Sequence, residues 1–217
     1  DANNNDFNGG QGNDSITGGG GQDRVGYWGA SGAVTVNLAT GRATGADGND
    51  TLVGISGATG SAFGDSLLGN DADNTFEGGS GNDTIDGAGG NDWVWYGGSA
   101  AGISVDLEAS TATDGLGGTD TLTNLENIAG SRFADTLVGS SAANSLVGEG
   151  GDDAIDGGAG NDWINGGAGN DTILGSAGSD FMQGGQGNDS INGGAVTDRS
   201  GYTDGNTLSY EDNTNGI

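Results

Sequence analysis

The 217-residue chain has no cysteine, no proline, no histidine and no lysine. Without cysteine there are no disulfides and no thiolate metal sites, so any cross-link must come from another source. Without histidine, lysine and cysteine the usual nucleophiles and general bases are missing. Positive charge is almost absent too: four arginines (Arg24, Arg42, Arg132, Arg199) stand against 31 acidic residues, for a net charge of −27. That balance excludes a nucleic-acid surface, whose phosphates need Lys and Arg. No apolar run approaches the length of a membrane-spanning helix. Hydrophobic residues are only 31% of the chain. Low hydrophobicity with high net charge describes a chain that stays unfolded until the charge is neutralised.

Glycine is abundant, with 51 residues, and it is arranged periodically. From residue 148 the chain reads GEGGDDAID, GGAGNDWIN, GGAGNDTIL, GSAGSDFMQ, GGQGNDSIN and the decaying GGAVTDR. Earlier units are GGQGNDSIT from residue 9, GGGGQDRVG from 18, GGSGNDTID from 78 and GAGGNDWVW from 87. A carboxylate returns every nine residues on a glycine-rich turn, and an apolar residue follows two positions later. This is the G-G-x-G-x-D-x-U-x pattern of calcium-binding parallel β-rolls. Glycine lets the turn curl tightly and aim its carbonyls inward. Inward carbonyls with one carboxylate make an all-oxygen environment suited to Ca²⁺. The last three residues of each unit read as a short strand. Two units then close one coil, and units i and i+2 stack.

An ion between stacked turns draws one Asp from each. That pairs Asp153 with Asp171, Asp171 with Asp189, Asp162 with Asp180, and Asp180 with Asp198. The expected carboxylate ligands are Asp14, Asp23, Asp65, Asp83, Asp92, Asp135, Asp153, Asp162, Asp171, Asp180, Asp189 and Asp198. Carbonyls are expected from Gly78, Gly81, Gly87, Gly148, Gly157, Gly160, Gly166, Gly169, Gly175, Gly178, Gly184 and Gly187. The units ending at Asp65, Asn74, Asp135 and Asn144 lack most glycines. The neutral amides of Asn74 and Asn144 predict weak or absent ions there, and Asp47 reads as a loop residue.

A second repeat, of about 70 residues, contains the first. Residues 34–38 (VTVNL), 49–55 (NDTLVGI) and 60–69 (GSAFGDSLLG) return as 103–107 (ISVDL), 119–125 (TDTLTNL) and 130–139 (GSRFADTLVG). The alternating segments predict half-buried strands, and the Asp-Thr-Leu segments two more. The organisation expected is one continuous solenoid: repeat blocks at 1–26, 57–95 and 130–199, insert coils at 27–56 and 96–129, and a third insert beginning at 200–217. The chain stops where the next Val-Thr-Val-Asn-Leu strand would start, so it is expected to be a piece of a longer protein. Tyr27, Trp28, Trp93, Trp95, Tyr96, Trp163, Phe181, Tyr202 and Tyr210 cluster after the Asp position or at module starts. They read either as junction packing or as an outward contact surface, with Trp93, Trp95 and Trp163 facing out.

The tandem nonapeptides resemble the RTX (repeats-in-toxin) family of secreted bacterial proteins, and the 70-residue module resembles those of large repetitive RTX surface proteins. The resemblance implies an all-β fold, a right-handed parallel β-roll or β-solenoid of nonapeptide half-coils with longer insert coils, holding several Ca²⁺ ions. It implies a secreted, extracellular or cell-surface protein exported by the type I secretion apparatus, folding where calcium is plentiful. No catalytic motif of the family's enzymes is present. The function expected is non-enzymatic: a structural or adhesive repeat region, with neighbouring copies or surface polysaccharide as candidate partners. The alternative is a secretion and folding module attached to a hydrolase or toxin.

Overall fold

The computed structural model describes residues 2–194 and the backbone of Thr207–Ser209; the expected ligand Asp198 and the aromatics Tyr202 and Tyr210 lie outside the described residues. Every regular element described is a strand. The chain divides into two compact units, Asp1–Tyr96 with Thr111–Leu125, and Gly97–Ser110 with Glu126–Ile217.

In the second unit the nonapeptides alternate between two parallel sheets. One sheet runs Asn127–Ala129, Ser145–Val147, Trp163–Ala168, Phe181–Gln186 and Thr207–Ser209. The other runs Ser104–Asp106, Thr136–Ser140, Ala154–Gly158, Thr172–Leu174 and Ser190–Asn192. Within the repeats, paired residues are eighteen apart: Ile155 faces Ile173, and Ile164 faces Met182. Two nonapeptides therefore make one coil of a parallel β-roll. The eighth residue of each repeat points inward, and Leu146, Ile155, Ile164, Ile173 and Met182 are all buried. Each such side chain contributes about 1.5–3 kcal/mol by leaving water. A core of roughly one aliphatic residue per nine is thin, and the backbone ladders and turn chemistry must supply the rest.

The first unit holds the same roll with an interruption. Its one sheet is parallel throughout, from Asp6–Phe7 through Arg24–Gly26, Gly57–Thr59 and Thr75–Glu77 to Trp93–Trp95. Into its other sheet the first insert places a three-stranded meander. Val34–Asn37 pairs antiparallel with Arg42–Gly45, which pairs antiparallel with Gly48–Val53. The last of these strands joins Ser15–Thr17 of the preceding coil in parallel, and the first joins Ser66–Asn70 of the following one. The coil lengthens by folding back and re-entering the ladder in reverse order. In the second copy Thr111–Thr113 is antiparallel to Thr119–Thr123, which pairs with Thr84–Ala88 in parallel. The middle strands, Arg42–Gly45 and Thr111–Thr113, carry no strand signal of their own. They are short, and the hairpin partner holds them.

Candidate metal centre

Number the repeat from its first glycine, so that the aspartate is at position 6. The position-6 carboxylate divides its two oxygens between two tasks. Oδ1 accepts the backbone N–H of the position-6 residue one coil earlier. Asp135 N donates to Asp153 (2.8 Å), Asp153 N to Asp171 (2.9 Å), Asp171 N to Asp189 (3.0 Å) and Asp162 N to Asp180 (3.0 Å). In the first unit Asn5 N donates to Asp23 (2.9 Å), Asp65 N to Asp83 (2.8 Å) and Asn74 N to Asp92 (2.6 Å). The stacking of Asp153 on Asp171, of Asp171 on Asp189 and of Asp162 on Asp180 is thus direct.

The second oxygen is different. Oδ2 of Asp14, Asp83, Asp153, Asp162 and Asp171 is buried and accepts no hydrogen bond from the protein. A buried, uncompensated carboxylate oxygen is expensive. Burial pushes the carboxyls of Asp83 and Asp153 up to about 7 and that of Asp162 up to about 6. Neighbouring aspartates add to the effect, Asp135 and Asp171 acting on Asp153.

Carbonyls face the Oδ2 atoms of Asp153, Asp162 and Asp171. A Cβ on Gly148 would collide with Oδ2 of Asp153 and with the carbonyl oxygen of Gly166, and one on Gly166 would meet Asp171 Oδ2 and the Gly184 carbonyl. Gly157 stands in the same relation to Asp162 and the Gly175 carbonyl. Position 1 must therefore be glycine, and the space it leaves is bounded by hard oxygens from two successive coils. At position 4, Gly81, Gly160, Gly169, Gly178 and Gly187 have φ from 123° to 148°, and a Cβ there would strike the backbone of the preceding coil. No three carboxylates converge on one point among the described residues. A cation in the gap would meet one or two carboxylates and carbonyls, an oxygen set that suits Ca²⁺, which takes six to eight such ligands.

The turns fall into two kinds. In the open kind, position 2 has positive φ and position 4 is glycine. Position 2 adopts this conformation even where it is not glycine, as at Ala88 (70°), Glu149 (70°) and Ser176 (67°). In the closed kind, position 2 donates its own N–H to position 6. Ser61 N bonds Asp65 Oδ2, and Ser131 N bonds Asp135 Oδ2 (2.6 Å). The hydroxyls of Ser61 and Ser131 take Oδ1 at 2.8 and 2.7 Å, and the N–H groups of Val34 and Ile103 reach the same oxygens. Asp65 and Asp135, expected as ligands, have both oxygens engaged by protein donors. Asn74 and Asn144 are closed likewise, accepting from Asn70 N (2.8 Å) and Ser140 N (2.7 Å) and donating to the Ser56 and Glu126 carbonyls.

Two position-6 residues escaped the sequence reading. Asp50 and Asp120 are buried in the inserts, where their Oδ1 atoms accept from Asp14 N (2.9 Å) and Asp83 N (3.1 Å), as a repeat aspartate does. The signal was present: residues 45–53 read GADGNDTLV and 115–123 read GLGGTDTLT, each a degraded nonapeptide. Their Oδ2 atoms accept the hydroxyls of Tyr27 (2.9 Å) and Tyr96 (3.0 Å). Burial, then the adjacent carboxylate, pushes both phenols up, so they remain donors. These tyrosines are thus caps on the carboxylate row. Among the other aromatics, Trp28, Trp95 and Trp163 are exposed, while Trp93 and Phe181 are half-buried. The Arg24 guanidinium lies 5.3 Å from the Trp95 ring and bonds Asp6 at 2.9 Å.

A family model describing the RTX calcium-binding nonapeptide repeat matches the chain in four copies, at residues 1–30, 59–99, 129–164 and 165–199. The stretches between the first three copies contain the insert strands. No curated protein matches the chain.

Proposed function

The chain belongs to the RTX family of calcium-binding nonapeptide repeats, and from that premise we propose that it is a calcium-folded structural or adhesive repeat region of a large extracellular bacterial protein exported by type I secretion. The observation that carries the reading is the row of buried Oδ2 atoms, those of Asp153, Asp162 and Asp171 opposite carbonyls of the next coil, on a chain of net charge −27. In the absence of a cation these oxygens and the surrounding charge oppose the fold. With calcium bound, site formation and folding are one event. A chain of this kind stays extended where calcium is scarce, which suits passage through a narrow export channel, and becomes rigid outside. The acids recur with the scaffold, which supports a structural role over a catalytic one.

The test is circular dichroism of the chain in chelator and in millimolar calcium. The expected outcome is a coil spectrum that converts cooperatively to a β spectrum on adding calcium. A β spectrum unchanged by chelator, or no response to calcium, would overturn the reading.

A further inference from the structure

In the second unit an open turn is followed one coil later by another open turn, so Asp153, Asp171 and Asp189 face their like. The open turn at Asp83 has no such successor. Its next layer is the second insert, where Asp120 receives the Asp83 N–H and gives its other oxygen to Tyr96. Asp83 is only 1% exposed, and its Oδ2 accepts no hydrogen bond. The repeat carboxylate of that layer, Asp120, has both oxygens engaged, by the Asp83 N–H and the Tyr96 hydroxyl.

A carboxylate enters that layer from outside the repeat. Asp114, in the loop joining Thr111–Thr113 to Thr119–Thr123, is fully buried. Its Oδ1 is clamped by the N–H groups of Leu116 (2.7 Å) and Gly118 (2.8 Å). A Cβ on Gly118 would lie 2.5 Å from Asp114 Oδ2 and overlap the carbonyl oxygen of Gly81. Gly81 is position 4 of the same turn that carries Asp83. The first insert provides an internal comparison. Ala43 faces Asp50 there as Ala112 faces Asp120 here, so Gly45 stands where the second copy has Asp114. Beside Gly45 the first copy has a cavity of about 90 Å³, lined also by Tyr27, Asp47, Gly48 and Asp50, among others.

We infer that Asp114 is a metal ligand supplied by the insert, closing with Asp83 Oδ2 and the Gly81 carbonyl a calcium site that the repeat leaves half-built. The donors are all hard oxygens, and two carboxylates match the charge of one divalent ion. The insert thereby ends a run of repeats without leaving its last acid exposed to repulsion. The first insert, with glycine at this position, has no such ligand.

The inference rests on the calcium reading of the whole chain, and the experiment separates the two. Ions bound to the full chain at saturating calcium are counted by native mass spectrometry for wild type, Asp83→Asn, Asp114→Asn and the double variant. Each single variant is expected to bind one ion fewer, and the double variant no fewer than either single. Asp114→Asn keeps an oxygen for the Leu116 and Gly118 N–H groups, so its β spectrum in calcium should match wild type. Asp114→Ser is the second variant should that fold be disturbed. An unchanged ion count in a folded position-114 variant, or losses that add in the double variant, overturns the inference. A wild type that binds no calcium overturns the calcium reading itself.

Discussion

A carboxylate in this fold is defined by what each of its two oxygens meets. In the stacked repeat aspartates Oδ1 accepts a backbone N–H from the coil before, which locks the rotamer and the register. Oδ2 distinguishes the sites: it is taken by a serine N–H at Asp65 and Asp135, by a tyrosine at Asp50 and Asp120, and by no protein donor at Asp153 and Asp171. Asp171 lies between Asp153 and Asp189, so one substitution there affects two successive gaps. Asp171→Ala is expected to raise the calcium midpoint of folding by about tenfold or more, about 1.4 kcal/mol, and to lower the steepness of the titration. Asp47→Ala removes hydrogen bonds to Ser31 and Gln11 at an exposed loop and should shift the midpoint little. Equal effects in a dichroism-monitored titration would contradict the stacking of ligands.

At the scale of the turn, the glycine at position 4 separates open from closed. Every described open turn has it with positive φ, and the closed turns carry Phe63, Ala72, Phe133 and Ala142 there. Gly169 is the sharpest case, with φ of 148° and the Gly151 carbonyl where a Cβ would go. Gly169→Ala combines that collision with a conformation L-residues rarely adopt. It should cost on the order of 1–3 kcal/mol and lower the melting temperature in calcium. Gly29→Ala, at a position with open space and no positive φ, is the control and should melt as wild type does. Equal melting of the two variants would refute the steric account. The inserts show the same logic: they re-enter the ladder through degraded nonapeptides whose aspartates are capped by tyrosines, so strand pairing continues.

For the whole molecule, the dominant quantity is negative charge with little to oppose it. The sign of its pH dependence follows from burial. Asp83, Asp153 and Asp162 hold protons up to about pH 6–7 when folded, whereas an unfolded aspartate releases its proton near pH 4. Between those values the folded chain binds more protons than the unfolded one. Calcium-free stability therefore falls as pH rises from about 4 to about 7 and is greatest on the acid side. Protons compete with calcium for the same oxygens, so calcium affinity moves the opposite way and weakens on acidification. In chelator, β content measured by dichroism is expected to rise as pH is lowered from 8 to 5. In parallel titrations the calcium midpoint should move to higher concentration over the same range. A calcium-free chain that instead loses structure on acidification would contradict the burial of these groups.

The nine-residue period by itself determined the roll, because side-chain alternation and glycine spacing are local and repeat in phase. Strand positions, the inward row from Ile16 to Met182 and the stacking of aspartates eighteen apart all follow from counting. The 70-residue period likewise marked the inserts and four of their strands. Only the tertiary structure decided which carboxylates remain available. That depends on whether position 2 turns its N–H toward position 6, and on what the neighbouring coil presents. Asp65 and Asp83 hold the same place in the nonapeptide, yet Ser61 satisfies one and nothing in the protein satisfies Oδ2 of the other. Asp114 has no periodic signature at all. It reaches the Asp83 turn through a hairpin that folds back across the sheet, and a long-range pairing of that kind leaves no mark on the spacing of residues along the chain.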